Sequence, residues 1–191
     1  MPTVAVVYHS DYGHTKVVAE SIARGAGGVE GVEAVLIAVD ELPAPGPDRV
    51  LGGRWPELDA ADAIIFGSPT YMGTVSAAFK RFMESSGGIW YRQGWKDKLA
   101  AGFTNAGGLS GDKLSTLLDL ALFAAQHSMI WVSQGLFYND EGINRMGSWI
   151  GMMARSTDDP PDVTPPPEDR KTAELFGERV AHATLRWARG G

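Results

Sequence analysis

Five short apolar runs recur along the chain, and between them the pattern shifts from unbroken hydrophobicity to stripes of helical spacing. Residues 3–8, TVAVVY, are apolar and β-branched without alternation, as in a strand covered on both faces. From Thr15 the spacing lengthens. Val18, Ile22 and Ala26 fall four residues apart, and the stripe runs out at Gly27-Gly28, which predicts a helix stopped by glycine. VEAVLIAV (32–39) reads as a second strand. A Pro/Gly-rich stretch, ELPAPGPDRVLGGRW, and a short helical turn at PELDAAD lead to a third buried strand, AIIFGSP (63–69). VSAAFKRFMESSG (75–87) is helical, with Val75, Phe79, Phe82 and Met83 on one side. LAAGFTN (99–105) is a fourth strand, GDKLSTLLDLALFAAQHS (111–128) an apolar helix and MIWVSQG (129–135) a fifth strand.

A weakly patterned segment, 136–167, follows and ends in STDDPPDVTPPPED. It is longer than an ordinary connection, so it is a functional loop, an arm to a neighbour or partly disordered, and its prolines favour an extended surface path. EDRKTAELFGERVAHATLRW (168–187) is an amphipathic helix with Phe176, Val180, Ala183 and Trp187 inward. Its Glu168 and Asp169 lie near the positive end of the helix dipole. Strict alternation of strands and helices predicts an α/β domain, doubly wound, with a parallel sheet covered by helices on both faces. Five strands suggest the order 2-1-3-4-5 in a single domain over 1–191, with no internal repeat. Ligands of such sheets bind beyond the C-terminal strand ends, at the switch point around strands 1 and 3. That rule selects three loops: 9–15, 68–74 and 105–111.

Composition narrows the partners. The 191 residues are 44% hydrophobic and 21% charged, which suits one globular domain. Seventeen Lys and Arg against 23 Asp and Glu give a net charge of −6, which argues against a nucleic-acid binder and an anionic membrane surface. With no cysteine, disulfides, thiolate catalysis and Cys-ligated metals are excluded. No His/Asp cluster has ligand spacing, so no metal site is expected. MPTVAVVYHS lacks the basic start and long apolar run of a signal peptide, and no stretch is long enough for a membrane span, so a cytoplasmic protein is expected.

Each selected loop is marked. SDYGHT offers the hydroxyls of Ser10 and Thr15, a flexible Gly13 and the free N–H groups of a helix start, but no Lys or Arg. That is a nest for one phosphate monoester; the Gly-Lys-Ser/Thr of a triphosphate loop and the dinucleotide GxGxxG are both absent. The plainer alternative is a helix N-cap made by Ser10 or Asp11. In SPTYMGT, Tyr71 and Met72 could lie against a flat ring, or the segment is an ordinary turn. NAGGLSGDK bares backbone N–H groups at Gly107, Gly108 and Gly111, or is a flexible surface loop. Trp55, Trp131 and Trp187 read as packing residues, whereas Trp90 and Trp95 fall in a polar, glycine-flanked loop with a surface or interface role. His9 reads as structural and His182 as part of a solvated face.

YHSDYGHT, DAIIFGSPTYMGTVSAAFKRFME, GGIWYRQGWKDKLAAGFTNAGG and AQHSMIWVSQG, in this order and spacing, resemble the flavodoxin-like FMN proteins, and most of all the WrbA-type NAD(P)H:quinone oxidoreductases. The similarity runs from about residue 3 to residue 135. It implies that Ser10, Tyr12, Gly13, His14 and Thr15 hold the FMN phosphate. It implies that Pro69, Thr70, Tyr71, Met72 and Gly73 line the isoalloxazine, and that Asn105, Ala106, Gly107 and Gly108 face its pyrimidine side. Trp90 matches a tryptophan that closes the pocket in this family, often from a neighbouring subunit, and His127 a histidine at the pocket edge. Both are the implied catalytic residues. The family often has Arg-Phe where this chain has Tyr71-Met72, and a Gly/Thr-rich segment where this chain reads GINRMGSWIGMMARS. The resemblance implies a homo-oligomer, dimer or tetramer, that moves electrons from NAD(P)H to a quinone-like small molecule by two-electron, ping-pong hydride transfer. An electron-carrier flavodoxin, which usually goes with a more acidic surface, and a flavin reductase supplying a partner are the alternatives.

Overall fold

The structure is a computed structural model, and it describes residues 1–190. β1 (Thr3–Tyr8) lies between β2 (Glu33–Ala38) and β3 (Ala63–Tyr71), all parallel, with Val6 opposite both Leu36 and Ile65. β3 has two further partners: β4 (Thr74–Val75), which folds back antiparallel on its end, and the parallel β5 (Leu99–Ala106). β6 (Ile130–Trp131) pairs with the start of β5 and completes the path β2-β1-β3-β5-β6. The principal strands therefore stand in the expected order. β4 and one further strand, β7 (Met152–Arg155), are additions that the hydrophobic pattern did not announce.

The fifth strand was expected over 129–135, but only Ile130 and Trp131 join the ladder. The Trp131 ring lies over Gly102, 2.7 Å from where a Cβ would stand, and its Nε1 donates to the Ile150 carbonyl at 2.7 Å. The chain then leaves the sheet edge and returns as β7, parallel to the far half of β5, with Ala154 opposite Asn105. Gly151 permits the return, since a Cβ there would meet the Gly102 carbonyl at 2.4 Å. One edge position is thus shared by two short pieces. Part of the 136–167 segment, Met152–Arg155, thus closes on its own sheet.

Side-chain alternation explains the unbroken apolar strands. Ala5, Val7, Ile64, Phe66 and Ala100 face one layer, made of α2 (Trp55–Ala60), α3 (Ala77–Ser85), α4 (Gly87–Tyr91) and α5 (Lys113–Gln126). Val4, Val6, Ile65, Ala101 and Phe103 face the other, made of α1 (His14–Gly27) and α6 (Pro167–Arg189). α1 and α6 touch backbone to backbone. A Cβ on Gly25 would stand 1.9 Å from the Glu174 carbonyl oxygen, and one on Gly177 2.0 Å from that of Ile22.

Two tryptophans differ from expectation. Trp95 is fully buried, because the GGIWY stretch winds into α4 and tucks the following chain under the sheet. There its Nε1 donates to Asp59 Oδ1 at 2.9 Å and its ring meets Phe66 and Phe123. Trp187 is half exposed, since α6 overruns the core; its Nε1 donates to the Asp97 carbonyl at 3.0 Å.

Candidate functional site

All the parallel strands direct their C-terminal ends at one edge, and a cavity of about 490 Å³ opens there. Its floor is the turn from β1 into α1. His9 anchors that turn: its N–H donates to the Gly67 carbonyl at 3.1 Å, and its Nδ1 pairs with the Ser76 hydroxyl at 2.8 Å. The next side chain, Ser10, has its hydroxyl oxygen buried with no partner among the described residues. Gly13 then takes φ +87° and serves as the N-cap of α1 without a side chain to offer. Neither Ser10 nor Asp11 caps the helix, so the plain N-cap alternative is not realised, and the N–H groups of the first turn of α1 remain open beside Thr15.

Two strand ends form the walls. On one side stand Pro69, Thr70 and Tyr71. The Thr70 hydroxyl is committed inward, 2.8 Å from each of the Thr104 and Thr116 hydroxyls, so only its backbone faces a ligand. Tyr71 lies beside Asp11; partial burial and that carboxylate push its hydroxyl up to about 12, and it stays protonated. Met72 (φ 49°) and Gly73 (φ 81°) make the tip of the β3–β4 hairpin. Met72 is fully exposed there, and neither residue lines the cavity in the single chain, because the two-residue turn carries both outward. On the other side are Asn105, Ala106 and Gly107, with Gly108 just beyond the lining. Asn105 is held by Ser156, whose hydroxyl donates to its Oδ1 at 3.0 Å.

A fourth wall comes from the 136–167 segment, which the sequence offered as a functional loop without pointing to any residue in it. Leaving β7, the chain lays Ser156, Thr157 and Asp158 along the cavity. The His14 Nε2 donates to the Asp159 carbonyl at 2.8 Å, and Pro161 packs on Gly13, its Cγ 2.8 Å from a Cβ position that only glycine leaves open. Arg170 on α6 fixes this arm from outside, donating to the carbonyls of Pro161 at 3.0 Å, Asp162 at 2.8 Å and Pro165 at 2.7 Å. Among the described residues no Lys or Arg lines the cavity, while Asp11 and Asp158 do. Hydroxyls and backbone N–H groups therefore have to do all the work of holding an anion.

Trp90 and His127 are not brought to this cavity. Parallel strands with returning helices put helix ends and strand starts at the opposite edge, and both residues sit there. Trp90 lies on α4, half exposed, ahead of the start of β5. His127 caps the C-terminus of α5 just before β6 and is buried against Trp95 and Phe123, ring centroids 4.5 and 4.9 Å away. Burial holds it neutral, its pKa lowered to about 4. As a catalytic group within its own chain, His127 is therefore a correction to the sequence reading.

Flavin mononucleotide fits what is present. Its phosphate answers an orphaned Ser10 hydroxyl and an uncapped helix start, and its ring suits a slot between two strand ends. Comparison with known proteins agrees. Residues 3–143 match the family model described as NADPH-dependent FMN reductase. The chain is 37% identical over 187 residues to a protein of Pseudomonas aeruginosa named Flavodoxin FldP, covering 95% of this chain and 96% of that one. It is 34% identical over 161 residues to an NAD(P)H dehydrogenase (quinone) of Geobacter sulfurreducens, covering 78% of each. A flavodoxin, WrbA-like protein from Agrobacterium tumefaciens, known as a crystal structure, superposes with a TM-score of 0.75 at 40% identity over 97% of this chain and 99% of that one. With a flavodoxin-like sheet, an uncapped helix start at its switch point, and a family model matched over residues 3–143, the chain belongs to the NADPH-dependent FMN reductase family.

Proposed function

We propose that this chain holds FMN in the strand-end cavity and passes two electrons from NAD(P)H to quinone-like acceptors in a ping-pong course. The observation that carries the reading is the Ser10 hydroxyl, buried and without a partner at the foot of an uncapped helix. A hydroxyl in that state costs about 1–3 kcal/mol of lost hydration, and a phosphate oxygen would restore its bond. Ser10, Thr15 and the first N–H groups of α1 take the phosphate, with Tyr12 and His14 at its rim. Pro69 and Tyr71 flank the ring on one side, and Asn105, Ala106 and Gly107 meet its pyrimidine edge. When bound, FMN supplies a ring that takes up hydride from the nicotinamide and gives it to the acceptor. The protein's part is to fix that ring and keep one face open at a single mouth. Sharing one mouth makes the reductant leave before the acceptor enters.

The reading includes a homo-oligomer in the cytoplasm. Only a second copy, laying its exposed Trp90 and Tyr91 over the mouth, would bring the matched tryptophan to the ring. Among the described residues no helix is long and apolar enough to cross a membrane. A second reading, an electron-carrier flavodoxin, draws support from the relative named Flavodoxin FldP, which is matched over nearly the whole chain. Anaerobic addition of NADH or NADPH to the purified, FMN-loaded protein separates the two. Bleaching of the visible flavin band within seconds and its return on adding quinone, with parallel initial-rate plots, fits the enzyme. Reduction only over hours, or intersecting plots, overturns the ping-pong oxidoreductase.

A further inference from the structure

Lys113 is a lysine with no exposed surface, and the proposed cofactor contacts make no use of it. It opens α5 directly behind the glycine loop. Its Nζ donates to the Gly108 carbonyl at 3.1 Å and to the Ala154 carbonyl of β7 at 3.0 Å, with the Met146 sulfur at 3.7 Å. Arg155, the last residue of β7, donates from Nε to the Gly107 carbonyl at 2.9 Å. Each of two cations thus holds one of two successive carbonyls of one loop. Peptide planarity sends the N–H of the following residue the opposite way. The Gly108 N–H is therefore turned away from Arg155 and the Leu109 N–H from Lys113, and neither has an acceptor among the described residues.

A buried ammonium is a costly way to tie a loop, since its desolvation is only partly offset by two carbonyls. The cost is visible in Lys113 itself. Burial lowers its pKa to about 8, with Arg145 and Arg155 opposing its charge and Asp169 supporting it. Negative charge arriving on the far side of the two peptides would favour the charged lysine. The cofactor gains such charge: oxidised FMN takes up two electrons and one proton on its ring, and is left with one extra negative charge on the pyrimidine side.

We propose that Lys113, with Arg155, is a positioning residue that fixes the Gly107–Gly108 and Gly108–Leu109 peptides with their N–H groups toward the pyrimidine edge, and so favours reduced FMN over oxidised FMN. This rests on the FMN reading above. The donors are set before reduction, so no backbone rearrangement is needed when the charge appears.

The test is the midpoint potential of the bound FMN, set against a reference dye, together with the dissociation constant of oxidised FMN. Lys113→Met keeps length and apolar bulk but removes the charge and both bonds. Affinity for oxidised FMN should change less than about threefold, while affinity for reduced FMN falls roughly tenfold; for a two-electron couple that is a drop of about 30 mV. Arg155→Met, at a half-buried strand end, should move the potential the same way, by roughly a two- to threefold change in the same ratio. It carries the test if Lys113→Met does not fold by circular dichroism. Equal loss of affinity for both forms, with the potential unmoved, means a purely structural tie and overturns the proposal. A wild-type protein that binds no FMN overturns the underlying reading instead, and that outcome is seen before any variant is made.

Discussion

Acid should destabilise this protein through His127. The imidazole is 2% exposed and wedged between Trp95 and Phe123. Its Nε2 lies 2.9 Å from the Ser86 hydroxyl, and that hydroxyl spends its own proton on the Met83 carbonyl at 2.7 Å. Nε2 must therefore carry the hydrogen, which leaves Nδ1 as a bare lone pair, buried and without a partner among the described residues. Protonating Nδ1 would bury a cation with an N–H that meets no acceptor. That is why the folded-state pKa falls from 6.5 to about 4. Because the folded value lies below the unfolded one, the unfolded chain binds the extra proton first. The stability at stake is complete above about pH 6.5 and is lost as pH falls toward 4. A shift of that size is worth about 3 kcal/mol. Urea unfolding at a series of pH values measures it, with His127→Phe as the control. Phenylalanine keeps the ring packing, and Ser86 still has Met83. The wild type should lose about 3 kcal/mol more than the variant across the window. Parallel loss in the two proteins would refute the argument.

Three further outcomes follow from other parts of the molecule. Ser10→Ala removes one charge-assisted bond to phosphate, worth about 1.5–3 kcal/mol, so the FMN dissociation constant should rise roughly ten- to a hundredfold. Riboflavin, which has no phosphate, should not notice the change, and equal losses for both ligands would contradict the assignment. Gly177→Ala drives a methyl into the Ile22 carbonyl and should lower stability in urea by about 1–3 kcal/mol; a loss under half of that range would mean α1 and α6 part easily. Arg170→Met frees three carbonyls of the arm over Gly13, so FMN should dissociate several-fold faster in a stopped-flow exchange, and an unaltered rate would show that the arm does not retain the cofactor.

The parts of the site that the sequence made legible share a cause. β1, β3 and β5 are buried on both faces, so their apolar runs are unbroken and their ends are sharp, and the loops at those ends could be singled out by topology alone. The fourth wall had no such cue. β7 is four residues within IGMMARS, and its place in the sheet is decided by how closely Gly151 approaches Gly102, a contact that no local pattern encodes. Trp90 and His127 illustrate a different limit. Their roles came from resemblance, whereas the alternation of strands and helices already implied that residues at helix ends lie at the edge away from the cavity. Lys113 was read only as part of the NAGGLSGDK loop and of an apolar helix, because burial of a helix's first residue depends on the strand that returns over it.

The split edge strand also sets a timetable. Ser10, Pro69 and Asn105 can be in place once the chain has been made through β5, but the wall that completes their cavity comes some fifty residues later and is fastened by α6. At roughly 5–20 residues per second, a growing chain spends several seconds with its trough formed but open. On the FMN reading, a cofactor that enters in that interval meets Ser10 and the start of α1 without the wall that covers them. The cover is thus fastened only when α6 docks on α1, so on that reading stable loading waits for this last helix.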